Sequence, residues 1–197
     1  MRERIFELVA FVALPLATWL LTADDLRYFA RGANTYAIDA AHLDVGALRA
    51  EGRYDLTARI DPKRIVAVPT PDDPGTIGAL VFAPEGVDDP FYILTRSGRL
   101  IGLTQSLEGL LRLQEPLHFT GRLRPVSAGK LRVGLRRIDL SGALKKLGSA
   151  DGTGWVLEEG APPPSWRTVA VPGAVLVLIA ALAGRRLRDA RRRRSPG

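Results

Sequence analysis

SLEGLLRLQEPLHFTGRLRPVSAGKLRVGLRRIDL, Ser106–Leu140, decides how the middle of this chain folds. Ser106 is a favourable N-cap, Leu107, Leu110, Leu111 and Leu113 follow at helical spacing, and Pro116 stops the turn, so a short helix is expected. LHFTGRLR (117–124) and KLRVGLRRIDL (130–140) then read as two strands joined by the turn PVSAG. If Leu117, Phe119, Leu123, Leu131, Val133 and Leu135 point inward, then His118, Arg122, Arg124, Arg132 and Arg136 share the opposite face. Like charges on neighbouring strands repel unless something compensates them. That cationic hairpin is the candidate docking face, for an acidic partner, an anion or lipid headgroups; the competing reading is a solvated surface balanced by Glu108, Glu115 or Asp139.

Working outward toward the N-terminus, FYILT and RLIGLT around Ser97-Gly98 read as another hairpin, IGALVFA (77–83) as a strand, and PTPDDPG (69–75) as a loop. Arg64–Val68 is a short apolar run. Tyr54, Leu56, Ala58 and Ile60 alternate with Asp55, Thr57 and Arg59, as in a half-buried strand. Upstream, Asp39 before AAHLDVGALRA signals a helix start within Leu26–Ala50. Five or six strands with a short helix before the last two is the order of a small, partly open OB-like barrel, so an α+β, mainly-β domain is expected over 23–147. GSADGTG and APPPS make 148–166 read as a spacer.

The ends differ. From Leu8 to Thr22 no residue is charged, and Ile5 and Phe6 extend the run to about 18 residues; 5–22 therefore reads as a transmembrane helix after a cytoplasmic start at 1–4. A cleaved signal is the alternative, without a good small-x-small site. TVAVPGAVLVLIAALAG, within 167–184, reads as a second transmembrane helix, and RRLRDARRRR in the 185–197 tail keeps that end cytoplasmic. The expected fold is thus a membrane protein: two transmembrane helices flanking an extracytoplasmic domain, in the inner (plasma) membrane, with both termini cytoplasmic and the domain periplasmic. Gly173, Ala174, Ala180, Ala181 and Gly184 would permit close helix–helix contact.

Charge bears this out as an expectation. Seven of the 28 basic residues lie in the tail and two at the start, leaving 19; setting Glu3, Glu7 and Asp189 aside from the 21 acidic ones leaves 18. The +7 net charge belongs to the ends, and an arginine run without interleaved aromatics gives bases nothing to stack on, so no nucleic-acid partner is expected. The absence of cysteine excludes disulfides and thiolate chemistry.

No catalytic signature is present. GRLRPVSAGKL fails as a phosphate loop because Leu131 stands where Ser or Thr should be. His42 and His118 are isolated, and Asp24-Asp25, Asp72-Asp73 and Asp88-Asp89 lack the alternating spacing of a calcium loop. No catalytic residue, metal or cofactor is therefore expected. The expected function is a membrane-anchored binding or scaffold module with membrane lipid and an envelope protein as partners. The layout is similar to that of two-span assembly factors of respiratory complexes, so an assembly or accessory role in a respiratory or transport complex is the alternative, and a membrane-surface enzyme the third reading.

Overall fold

The computed structural model describes residues 2–31, 34–70, 73–133, 136–166, 170, 173–182 and 184–185. The chain divides into two units, one from 1–29 with 164–197 and one from Ala30–Pro163.

The second unit is a mixed α/β fold. Its strands are β1 (Thr35–Asp39), β2 (Arg53–Ala58), β3 (Ile60–Thr70), β4 (Asp73–Pro84), β5 (Phe91–Thr95), β6 (Leu117–Val126), β7 (Lys130–Val133), β8 (Arg136–Asp139) and β9 (Gly154–Glu159). Seven form one sheet in the order β1-β2-β6-β9-β5-β4-β3, and β7-β8 pair separately. The pairings β1–β2 and β5–β9 are parallel; the rest are antiparallel.

Both faces of the sheet are covered, which explains the uninterrupted apolar run FYILT: all five residues of β5 are buried. On one face Leu56, Phe82, Ile93, Phe119 and Leu157 pack with Leu100, Ile101, Leu103 and Leu110 of the helices α2 (Gly98–Leu103) and α3 (Leu107–Arg112). On the other, Val81, Tyr92, Leu94 and Val156 pack beneath Leu131, Leu140, Leu144 and Leu147, from β7, the end of β8 and the helix α4 (Ser141–Lys146).

The OB-like barrel is overturned. Its topology needs the last strands to follow the inserted helix as a hairpin within the sheet, whereas β9 comes from 154–159, read as spacer, and enters between β5 and β6. That insertion uses Val156 and Leu157, each fully buried and on opposite faces, so the segment has the two-sided character of a central strand. The expected strand at 99–104 is the helix α2 instead, because Leu100, Ile101 and Leu103 fit a helical stripe onto the first core. The helix expected after Asp39 is two 3-10 turns, Ala40–His42 and Val45–Ala47, capped by the Asp39 and Asp44 carboxylates. Ser106 does cap α3, its Oγ accepting from the Gly109 N–H at 3.0 Å.

The two-span membrane topology, with the inner-membrane localisation built on it, is also overturned. Among the described residues no helix is long and apolar enough to cross a membrane. The first helix, α1, runs unbroken from Arg2 to Arg31, past the expected boundary at residue 22 and through Asp24, Asp25 and Arg27. Its last turns are polar: Arg27 Nη1 lies 3.3 Å from Asp24 Oδ1. Of 167–184, residues 173–182 form a described helical run. Gly173, Ala174, Ala180 and Ala181 lie in that run and Gly184 just beyond it. The arginines of the tail beyond Arg185 lie outside the described residues.

Candidate functional site

The residues expected to form one cationic hairpin face are not brought together. β6 pairs with β2 and β9, while β7 pairs with β8; beside these ladders stands an isolated bridge, Ser127–Lys130, in the turn after β6. Arg132 and Arg136 therefore sit in the separate β7-β8 pair, opposite Arg137 and Val133; their side chains lie outside the described residues.

Arg122 and Arg124 alternate as expected, but they point into a covered part of the sheet. Arg122 is ion-paired with Glu51, just before β2, and both side chains are buried. Arg124 Nε donates to Glu158 Oε2 at 3.1 Å, and Arg96 Nη1 lies 3.7 Å from the other oxygen of the same carboxylate. Buried cations persist only with such partners, because removing them from water costs several kcal/mol each. The compensating acids, Glu51 and Glu158, come from the junction after Ala50 and from the stretch read as a spacer, neither of which the hairpin pattern includes.

The same ladder continues outward on the β2–β6 pair. Arg53 stands opposite Arg122, Asp55 opposite Thr120 and Thr57 opposite His118. Thr120 Oγ1 donates to Asp55 Oδ1 at 3.2 Å, and Thr57 Oγ1 lies 3.0 Å from His118 Nδ1. His118, which is exposed, is thus part of a cross-strand polar pair. Among the described residues, Arg53 Nη1 is the buried side-chain polar atom without a hydrogen-bond partner.

A different site emerges at the β1 end of the sheet. Between β1, the two 3-10 turns and the start of β2 lies an open groove of about 570 Å³. Ligand pockets commonly span about 300–1,000 Å³. Parallel register sets Tyr36 beside Tyr54 and Ile38 beside Leu56. The two tyrosine rings lie 5.4 Å apart at 35°, a tilted contact worth about 0.5–1.5 kcal/mol. Tyr54 is buried, and its hydroxyl accepts from the Arg49 N–H at 2.9 Å, tying the second turn to β2. Gly52 makes this placement possible: a Cβ there would stand 2.6 Å from Cε2 of the Tyr54 ring. Ile38, Leu43 and Leu48 complete the apolar wall.

The groove's polar members are held by local bonds. Asp39 Oδ1 accepts from the Ala41 N–H at 3.1 Å, and Asp44 Oδ1 from the Gly46 N–H at 2.9 Å. His42 Nδ1 lies 3.6 Å from Asp39 Oδ2. Asp39 was legible as a cap; Tyr36, Tyr54 and Asp44 were not legible as neighbours, because their proximity depends on a parallel β1–β2 pairing that a helical reading of 39–50 conceals.

Among the described residues, no group of three or more His, Asp or Glu side chains stands close enough to hold a metal ion. Comparison of the chain with protein families, curated proteins and solved structures finds no match.

Proposed function

We propose that residues 30–163 form a non-catalytic protein-binding module whose docking element is the β1 edge, taking an extended segment of a partner protein alongside Thr35–Asp39. The observation that carries this reading is the contrast between the two edges of the sheet. Edge strands are templates for strand addition unless something blocks them.

β3, at one edge, carries Pro62, Lys63, Arg64 and Pro69 and has register shifts between Ile60 and Ile65 and again around Pro69. Prolines remove ladder donors, and irregular register twists an edge away from an incoming strand. β1, at the other, is TYAID, with no proline, lysine or register shift, and four of its five residues are exposed. It also borders the groove, so that main-chain pairing and side-chain insertion are available side by side, the combination by which strand addition obtains affinity and selectivity.

The test is an NMR titration of the isotopically labelled full chain with a capped pentapeptide of alternating threonine and valine. Expected are shifts and slowed exchange of the Thr35–Asp39 amides. N-methylation of one alternating set of peptide amides abolishes binding, and of the other set leaves it within about twofold, because alternate residues face opposite neighbours in a strand. Equal binding of both N-methylated forms, or no response at β1, overturns the proposal.

A further inference from the structure

We propose that the Tyr36–Tyr54 groove selects a cationic side chain, lysine or arginine, from the docked segment. This rests on β1 being the docking edge and specifies what the adjoining groove recognises.

The chemistry follows from three features. First, Tyr36 is 40% exposed although its ring also meets Tyr54, so aromatic surface faces the open groove. An ammonium or guanidinium over an aromatic face is attracted by the ring quadrupole. Second, Ile38, Leu43 and Leu48 give an apolar wall long enough for a methylene stem, the part of a lysine or arginine that gains from leaving water. Third, the charge is complementary: Asp39 and Asp44 contribute two carboxylates against the single guanidinium of Arg49.

Each carboxylate is oriented by one backbone N–H through Oδ1. An anionic side chain would meet both carboxylates. A neutral apolar one would cover them without offering a donor, which costs desolvation.

The test uses the full chain and the same pentapeptide with its central residue changed to lysine, norleucine or glutamate. The lysine peptide is expected to bind about five- to tenfold tighter than the norleucine peptide, with glutamate weakest. In D39N/D44N the backbone caps survive, since Asn caps as well as Asp, so the domain stays folded while the lysine preference collapses and norleucine affinity is kept. Y36L reduces the preference about threefold. If norleucine and lysine peptides perturb β1 equally, cation selection is overturned and strand addition stands. If none of the three perturbs β1, both readings fall.

Discussion

Arg122 and Glu51 form an ion pair in which both side chains are almost sealed from water, 6% and 7% exposed. Glu51 is doubly anchored to the same strand, since its backbone N–H also donates to the Leu123 carbonyl at 2.8 Å. It adopts a left-handed φ of 63°, which is uncommon for a residue with a side chain. A buried pair is costly to break because the remaining charge stays buried. R122M should therefore destabilise the chain by about 3–5 kcal/mol in urea titration. R122M/E51L should recover a large part of that loss, because it leaves neither charge behind. A double variant no more stable than the single one would show that the pair's burial is not what sets the cost.

Gly121 separates two classes of glycine. Its position on β6 faces Glu158 and Glu159 of β9, and a Cβ there would fall 2.2 Å from the Glu158 carbonyl oxygen, a backbone atom that cannot rotate away. Gly142 in α4 has nothing within 4 Å of the corresponding point. G121A should cost about 3 kcal/mol or more through overpacking at the β6–β9 seam. G142A should instead stabilise by about 0.5–1 kcal/mol, because alanine narrows the unfolded ensemble and suits a helix. Thermal unfolding of the two variants should shift in opposite directions.

Local signals were read well, and long-range pairing was not. Alternation located β2 and β6, the run 77–83 located part of β4, and Ser106 located α3, because those patterns reside in single segments, whereas the loop read over 69–75 is strand up to Thr70 and again from Asp73. Strand order does not reside there. Nothing in GWVLEE announces that it lies between Phe91–Thr95 and Leu117–Val126, and the neighbouring Gly and Pro residues argue for a loop. The arginines of β6 were placed correctly on one face, but the acids that neutralise them come from residues 51 and 158, so burial could not be inferred from the hairpin. The groove was hidden for the same reason: it exists because β1 pairs in parallel with β2, which brings residue 36 against residue 54.

Asp139 ends β8 and accepts from both the hydroxyl and the backbone N–H of Ser141 at the start of α4. Those hydrogen bonds, the hydroxyl's foremost, hold its carboxyl below the ordinary 3.8, with Lys130 adding a favourable charge. A depressed carboxyl contributes stability that is fully present above its unfolded value and lost as pH falls through its folded value. The window therefore lies below about pH 4, and neutral pH is unaffected. D139N should flatten the acid limb of stability against pH relative to the parent. Carboxyl NMR titration should place Asp139, and likewise Asp73, which is lowered by Thr76 and Gly75, below the ordinary 3.8.

The strand Gly154–Glu159 provides the sharpest separation between a spacer and a structural element. Leu157 is fully buried in the first core and Val156 in the second, and the strand is hydrogen-bonded on both sides, to β5 and to β6. Glu158 supplies the carboxylate shared by Arg124 and Arg96, and Glu159 accepts from the buried hydroxyl of Thr95. L157A should cost about 2–5 kcal/mol, the range for a cavity opened in a packed core. Replacing 154–159 with a glycine-serine segment of equal length preserves any tethering distance but removes two ladders, two core side chains and the carboxylates that partner Arg124 and Thr95. That chain should lose its cooperative urea transition and gain broad amide exchange across β5 and β6. A spacer would tolerate the exchange with an unchanged midpoint, so a surviving transition would count directly against the central placement of β9.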